Sequence, residues 1–225
     1  MINHIWLFLA SGYPSNQNRG TQLGLVMNNK IFSIEESCIS LVKNYNGEKF
    51  KTIYADPPWL ERGAGKIKRG ADKHYSLMNE DEIAALRILV YGVTQEQAHL
   101  YLWVTNNFLP QGLRILQIWG FRYVTKIDWF KDRIGLGQYY RGKTESCLFG
   151  VKGRALPYRV DKVTGKRSQG VTGFEAPRML HSQKPEKMRQ MIEKVSHGPY
   201  LEMFARHKTQ GWSVWGSEVG EGITS

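Results

Sequence analysis

The sequence predicts an α/β fold in which one mainly parallel, doubly wound sheet carries helices on both faces. Short apolar segments typical of buried strands alternate with segments whose apolar residues recur at helical spacing, as in successive βαβ units. The chain has 225 residues, of which 41% are hydrophobic and 12% aromatic, enough to build the core of one domain of this type. We therefore expect a single sheet and no internal repeat.

The first elements are a strand, a long loop, a helix and a second strand. The apolar run at 52–55 predicts the first strand, and a Gly- and Lys-rich loop follows to about residue 76. Asn79 is a good N-cap, and Glu82 three residues later completes a capping-box pattern. The buried face of this helix is predicted to consist of Ile83, Leu86, Leu89 and Val90. The second strand is predicted at 100–104.

The later elements continue the alternation of helices and strands. They are, in chain order, a helix at 108–119 stopped by Gly120, strands at 123–130 and 145–151, a helix at 184–195, and strands at 200–204 and 212–215. The last helix has Pro185 near its first turn and is predicted to bury Met188, Met191, Ile192 and Val195. Residues 152–180 are predicted to form a long basic loop.

The tetrapeptide Asp56-Pro57-Pro58-Trp59 directly follows the first strand, where α/β enzymes place their chemistry. It suits the alkylation of an exocyclic amino group, whose lone pair is delocalised into its ring. The Asp56 carboxylate and the Pro57 carbonyl can accept both amino hydrogens, because the two prolines hold that carbonyl in one direction. Trp59 would offer a flat face on which a base stacks. By itself, the tetrapeptide also fits a rigid turn with Trp59 in the core, although the functional interpretation is favoured.

Further motifs follow in a fixed order. They are Leu102-Trp103-Val104-Thr105-Asn106, Trp119-Gly120-Phe121, His181-Ser182-Gln183-Lys184-Pro185, Leu201-Glu202-Met203-Phe204-Ala205-Arg206 and Gly211-Trp212-Ser213-Val214-Trp215-Gly216-Ser217-Glu218. With Tyr54-Ala55 and the tetrapeptide, they make residues 51–218 resemble the N6-adenine methyltransferase family typified by the catalytic subunit of the messenger-RNA adenosine methylation complex. Bacterial and phage DNA enzymes share the same motifs.

The resemblance implies a Rossmann-like methyltransferase sheet of permuted motif order, with the catalytic motif ahead of the motif that binds the cofactor ribose. It assigns catalysis to Asp56, Pro57, Pro58 and Trp59. It implies S-adenosylmethionine as the cofactor, with no metal, and contacts from Asp56, Ser182, Lys184, Glu202, Phe204, Arg206, His207, Ser217 and Glu218. An acidic residue at a strand end suits ribose hydroxyls, and a lysine at a helix start suits a carboxylate. Ser217 departs from the asparagine usual in the family.

A formal net charge of +11 and a pI near 9.6 favour a polyanionic partner. Basic residues cluster in the loops at 60–75 and 152–178. The predicted nucleic-acid contacts are Lys66, Lys68, Arg69, Tyr139, Tyr140, Arg141, Arg154, Lys166 and Arg167. DNA is the preferred substrate, because the compact chain looks like bacterial or phage members. RNA is the alternative, and a non-catalytic nucleic-acid-binding subunit is another.

Residues 1–48 match nothing in the family and are predicted to be an extension of unknown role, ahead of a methyltransferase domain at 49–225. Cys38 and Cys147 form neither a disulfide framework nor a zinc site, which favours a reducing compartment. No apolar run approaches the ~20 residues needed to span a membrane. We expect a cytoplasmic protein of a bacterium or of a phage-infected cell.

Overall fold

A sheet occupies the centre of the protein in the computed structural model, which describes residues 49–60, 77–135, 139–154, 156–179, 183–216 and 219. The strands of this described part are β1 (Phe50–Ala55), β2 (Thr94–Val104), β3 (Arg122–Lys131), β4 (Thr144–Lys152), β5 (Gly173–Ala176), β6 (Tyr200–Met203) and β7 (Trp212–Trp215). Their spatial order is β5-β3-β4-β2-β1-β6-β7. The helices are α1 (Glu80–Ala85), α2 (Arg87–Val93), α3 (Leu109–Ile118) and α4 (Glu186–Val195).

The described sheet is mainly parallel, as predicted, but β4 runs the other way. β4 pairs antiparallel with both β2 and β3, whereas the pairs β1–β2, β1–β6, β3–β5 and β6–β7 are parallel. We call the side where β1, β2, β6 and β7 end the carboxyl edge, and the opposite side the amino edge. Because β4 is reversed, the chain leaves it at the amino edge.

The helix predicted from Asn79 begins there but is divided in two. The Asn79 side chain accepts from the Glu82 N–H at 3.0 Å, and the Asn79 N–H donates to Glu82 Oε2 at 3.0 Å, which completes the predicted capping box. Leu86 is both the C-cap of α1 and the N-cap of α2. All four residues predicted for the buried face are buried.

Side chains that alternate along the strands build one core on each face of the sheet. Ile53 and Ala55 of β1 lie in the core under α1, α2 and α3, whereas Tyr54 lies in the opposite core with Trp103. The helix α4 covers the second core with Met188 and Ile192, while Met191 and Val195 are only half-buried. The doubly wound arrangement therefore follows from the period-2 and helical patterns together.

The segment predicted as one long basic loop contains the strand β5, which the sequence analysis missed. β5 pairs with the end of β3, and the Trp129 indole donates to the Ala176 carbonyl at 2.8 Å. Its Phe174 is buried. A four-residue strand with a single large apolar residue has too little periodicity to be recognised in a sequence.

A buried polar cluster joins β2 to the end of α4 near the amino edge. His99 Nδ1 lies 2.7 Å from Ser196 Oγ, and the Tyr101 hydroxyl lies 2.8 Å from the same atom. Burial, and to a smaller extent the nearby His197, lowers the pKa of His99 to about 4. The folded protein therefore holds a neutral His99 at pH values where an unfolded histidine carries a proton.

We expect this histidine to make folding stability depend on pH. Its folded pKa lies below its unfolded value, so its contribution to stability is complete above about pH 6.5 and is lost as pH falls towards 4, by at most about 3 kcal/mol. Urea unfolding of the wild type and of His99→Gln at several pH values measures this. The difference between their unfolding free energies should change between pH 6.5 and 5, and a constant difference would contradict the assignment.

Candidate active site

Asp56 lies at the carboxyl edge, directly after the central strand β1. β1 is flanked by β2 on one side and β6 on the other, so Asp56 faces the ends of both neighbours. Its side chain is 27% exposed, and its Oδ2 accepts from Lys184 Nζ at 2.7 Å. The strand carrying Asp56 and the strand carrying Glu202 are direct neighbours, with Tyr54 opposite Glu202. Neighbouring strands are what the predicted motif order requires to assemble one site.

Lys184 connects Asp56 to a second buried carboxylate that the sequence analysis did not identify. Its Nζ lies 3.5 Å from Glu145 Oε2 of β4 and 5.3 Å from the centre of the Trp103 ring. Lys131 of β3 forms an ion pair with the other Glu145 oxygen. Alternating charges thus run from Asp56 through Lys184 and Glu145 to Lys131. The antiparallel β4 makes this possible, because it begins at the carboxyl edge.

Burial and charge pairing act in opposite directions in this network. Burial raises the pKa of Asp56, and the Lys184 ammonium only partly opposes it. Burial also disfavours the charged form of Lys184, but Asp56 and Glu145 outweigh it and raise the pKa of the ammonium. Burial likewise opposes ionisation of Glu145, but Lys184 and Lys131 bring its pKa below the usual value. Lys184 is therefore charged, and its ammonium favours the ionised form of Asp56 against the effect of burial.

The two prolines lie in a tight turn that fixes their carbonyls. The Pro57 carbonyl accepts from the Trp59 N–H at 2.9 Å, and the Pro58 carbonyl accepts from the Met78 N–H at 2.8 Å. A carbonyl oxygen has two lone pairs, so Pro57 retains one for a further donor. Its predicted role as the second acceptor of amino hydrogens stays a prediction.

Trp59 lies in the core, which corrects the expectation of an open stacking face. The side chain is 7% exposed, its indole N–H donates to the Trp103 carbonyl at 3.0 Å, and its ring stacks on Phe108 with centroids 5.3 Å apart. A large ring next to a rigid Pro-Pro turn gains more from burial and from a partner for its N–H than from exposure. Trp59 therefore positions the turn, as the alternative interpretation of the tetrapeptide held.

The loops after β6 and β7 meet at the carboxyl edge. Phe204 has φ 63°, a left-handed conformation that costs energy for a bulky residue and is concentrated at functional sites. The Ala205 N–H donates to the Trp215 carbonyl at 3.0 Å. A Cβ on Gly216 would lie 2.3 Å from the Ala205 carbonyl oxygen, so only glycine permits this approach. The structure thus holds the backbone around the predicted cofactor residue Phe204 in one geometry.

Glu202 is paired with Arg189 of α4, a partner that the sequence analysis did not identify. The guanidinium donates to both carboxylate oxygens, from Nε at 2.9 Å and from NH2 at 2.9 Å, and each side chain is 12% exposed. Burial raises the pKa of Glu202, and Arg189 opposes that effect. Arg189 follows Met188 and precedes Ile192 by three residues, which places it next to the buried face of α4. This helical spacing was the one sign in the sequence that Arg189 could reach a buried carboxylate.

The ion pair of Glu202 with Arg189 gives a prediction that distinguishes a role of Glu202 in folding stability from a role in cofactor binding. Glu202→Gln leaves the buried Arg189 with only the exposed Glu186 as a counter-ion, so we expect a loss of about 2 kcal/mol of stability and weaker S-adenosylmethionine binding. Adding Arg189→Met removes the buried positive charge that has lost its bidentate partner and should restore much of the stability but not the cofactor affinity. Thermal unfolding and calorimetry of both variants measure this. Restored affinity in the double variant would show that Glu202 does not bind the cofactor.

The remaining predicted cofactor residues fall into two groups. Arg206 is half-buried and His207 is exposed, and both follow β6 at the carboxyl edge. Ser182, Ser217 and Glu218 lie outside the described residues, as do the predicted nucleic-acid residues Lys66, Lys68 and Arg69. The roles assigned to all of them stay predictions.

The structure separates the predicted nucleic-acid residues onto two edges of the sheet. Tyr139, Tyr140 and Arg141 lie between β3 and β4 on the carboxyl edge, with both tyrosines more than nine-tenths exposed. Arg154, Lys166 and Arg167 lie towards the amino edge, so the structure does not bring them beside the catalytic motif. The reason is the reversed β4, which delivers the chain to the edge opposite Asp56.

The sheet order and the site define the class of protein. A central strand ends in Asp56, its neighbour β6 ends beside a strained turn, and one antiparallel strand interrupts an otherwise parallel sheet, as in a Rossmann-like methyltransferase. The chain belongs to the MT-A70 family, which it matches over residues 50–218. MT-A70 methyltransferases depend on S-adenosylmethionine.

Similar proteins come from plants, animals and a bacterium. The chain is 31% identical over 186 residues to the putative N(6)-adenosine-methyltransferase MT-A70-like of Medicago truncatula, covering 76% of this chain and 26% of that protein. It is 30% identical over 188 residues to the human N(6)-adenosine-methyltransferase catalytic subunit METTL3, covering 76% and 28%. It is 27% identical over 192 residues to the type II methyltransferase M.MunI of Mycoplasma sp, covering 76% and 78%. The chain thus spans about a quarter of the length of the plant and human relatives.

The chemistry of the carboxyl edge fits S-adenosylmethionine. The cofactor offers ammonium and ribose hydroxyl donors, and Asp56 and Glu202 present carboxylate acceptors on adjacent strands. It also offers a carboxylate, and the charged Lys184 has three N–H donors, of which two face Asp56 and Glu145.

In the described part of the chain, no helix is long and apolar enough to cross a membrane.

Proposed function

We propose that this protein transfers a methyl group from S-adenosylmethionine to the N6 amino group of adenine in DNA. The observation that carries the proposal is the ion pair of Asp56 with Lys184, directly after the central strand of an MT-A70 chain. The cofactor supplies an activated methyl group on its sulfonium. The residues of the chain supply position and hydrogen bonds, which account for most of the catalysis in such a reaction.

Asp56 acts on the amino group through the oxygen that Lys184 leaves open. Its Oδ2 accepts from Lys184, so Oδ1 is the oxygen available to an amino hydrogen. The free lone pair of the Pro57 carbonyl takes the other hydrogen. Accepting both hydrogens localises the lone pair on nitrogen and directs it away from the acceptors. The adenine must leave the base stack to reach the edge, because its amino group is inaccessible within a duplex.

Lys184 has two roles in this proposal. It holds Asp56 in one orientation and favours its ionised form, and its remaining N–H is available to the cofactor carboxylate. A protonated Asp56 would have a hydroxyl in place of an acceptor, so methyl transfer should fail at low pH. Glu145 and Lys131 hold Lys184 from the other side.

DNA is the proposed substrate because the alignment with M.MunI spans most of both proteins, whereas only 28% of METTL3 is covered. The charge of +11 supports a polyanionic substrate of either kind. RNA adenosine is the alternative within the same chemistry. A non-catalytic binding subunit is the alternative from another class, and the retained Asp56-Pro57-Pro58-Trp59 favours catalysis over it.

Matched substrates test the proposal. Purified protein is incubated with S-adenosylmethionine and either duplex DNA or RNA of the same sequence, and the nucleosides are analysed by mass spectrometry. We expect N6-methyladenine in DNA in the larger amount. Methylation of RNA alone would establish the alternative substrate, and cofactor binding without methylation of either would establish the non-catalytic subunit.

A further inference from the structure

The segment at 158–168, which we call the distal hairpin, is a hydrogen-bonded turn carrying exposed positive charge. Val160 and Arg167 form an antiparallel bridge, and the Asp161 N–H donates to the Lys166 carbonyl at 2.9 Å. Asp161 Oδ1 accepts from the N–H groups of residues 163 and 164. The only acidic side chain of the hairpin is therefore committed to forming its turn.

Arg159 fixes the distal hairpin to the body of the protein. Its guanidinium donates to the Ser196 carbonyl at 3.2 Å and to the Tyr200 hydroxyl at 2.9 Å, and it also donates to the Glu193 carbonyl. This arginine was among the basic residues that sequence reasoning grouped as phosphate-binding. Its contacts with the end of α4 and the start of β6 give it a structural role, so the hairpin is held in a fixed place.

The other basic side chains of the hairpin face solvent. Lys162, Lys166 and Arg167 are exposed, and the Arg167 guanidinium lies 4.8 Å from the centre of the half-exposed Tyr158 ring. Arg154, just before the hairpin, is exposed as well. A rigid element with several exposed cations and an aromatic ring complements a phosphate backbone better than it complements a neutral surface.

The hairpin is well separated from the catalytic edge. Tyr200, which accepts a hydrogen bond from Arg159 of the hairpin, pairs with Thr52 of β1. Thr52 precedes Ala55 by three residues, so Tyr200 lies about 10 Å from the carboxyl edge along the strands. Successive base pairs rise about 3.4 Å, so a nucleic acid reaching the hairpin from the target base must extend at least about three base pairs beyond it. The hairpin is thus held on a part of the surface away from Asp56, at which the reacting base is proposed to bind.

We infer that the distal hairpin is a second nucleic-acid contact, which binds the phosphate backbone of the substrate several base pairs from the target adenine. The inference rests on the proposed function and identifies where that substrate lies on the protein. It follows that affinity depends on substrate length as well as on the target site. Phosphate contacts carry no sequence information, so the contribution is the same for every sequence.

Binding of duplex DNA from about 8 to about 24 base pairs, with a central adenine site, tests the inference. Wild-type affinity should rise once the duplex reaches the hairpin, and Lys162→Gln with Lys166→Gln and Arg167→Gln should lose that rise, by about tenfold or more. The log–log salt slope for the longest duplex should flatten by about one unit for each lost contact. A triple variant that keeps positive charge, Lys162→Arg with Lys166→Arg and Arg167→Lys, should behave as wild type.

The outcomes separate this inference from the proposed function. If the wild type binds duplexes and the glutamine variant keeps the same length dependence and salt slope, the hairpin does not contact the nucleic acid. The basic surface of the hairpin would then bind a protein partner instead. A wild type that binds no duplex of any length overturns the proposed substrate together with the hairpin contact. Unchanged thermal unfolding and S-adenosylhomocysteine affinity verify that the variant is folded.

Discussion

Replacing Asp56 by alanine is expected to reduce the rate of methyl transfer by about a hundredfold or more while the protein stays folded. The carboxylate is the acceptor that localises the amino lone pair, and no other carboxylate in the described part of the carboxyl edge takes its place at the end of β1. Lys184 retains Glu145 as a counter-ion, so the variant does not leave a lone buried ammonium. Single-turnover methylation, with thermal unfolding as the check on folding, measures the effect.

Asp56→Asn is the matched control for size. The amide keeps one acceptor oxygen, but it loses the charge and the ion pair with Lys184, so we expect activity between that of the alanine variant and the wild type. Alanine and asparagine variants with near wild-type rates would contradict the acceptor role. If the loss of activity in these variants is accompanied by a loss of folding stability large enough to explain it, Asp56 has a structural role instead.

Replacing Lys184 by alanine is expected to impair both cofactor binding and the ionisation of Asp56. Affinity for S-adenosylmethionine should fall about tenfold or more, because the cation proposed for the cofactor carboxylate is lost. The pKa of Asp56, already raised by burial, should rise further without the ammonium that opposes burial. The acid limb of kcat/KM should therefore move to higher pH. Calorimetry and a pH–rate profile measure the two effects separately.

Lys184→Arg tests whether the charge alone is sufficient. Arginine restores the positive charge, so the acid limb should return towards its wild-type position, but its planar fork fits the narrow space between two carboxylates and the Trp103 ring less well than a point charge does. Cofactor affinity should recover only in part. An acid limb that stays unchanged in the alanine variant would show that Lys184 does not control the ionisation of Asp56.

Much of the sheet was predictable because its strands and helices have regular patterns. Asn79 and Glu82 specify a helix start by local hydrogen bonds alone, and the position of Asp56 after a buried strand follows from the apolar run before it. The direction of β4 was not predictable, since an isolated strand pattern carries no information on its pairing partner. That direction decides at which edge the chain leaves β4, and it explains why Arg154, Lys166 and Arg167 lie away from Asp56.

The ion-pair partners of Lys184 and Glu202 also could not be predicted from the sequence. Glu145 reaches Lys184, and Arg189 reaches Glu202, only after strands and a helix distant along the chain are packed together. Trp59 illustrates the opposite difficulty, because a tryptophan after two prolines is compatible with both an exposed platform and a core position. Its hydrogen bond to the Trp103 carbonyl, a tertiary contact, decides between them.

The most direct test of the central claim is expression of the protein in a host that lacks adenine methylation, followed by sequencing of the host DNA with detection of modified bases. We expect N6-methyladenine at a recurring sequence in cells that make the wild type, and none in cells that make Asp56→Ala at the same level. Methylation that persists in the Asp56→Ala cells would contradict the assignment of this site. Unmodified DNA in cells with folded, cofactor-binding wild-type protein would contradict DNA as the substrate.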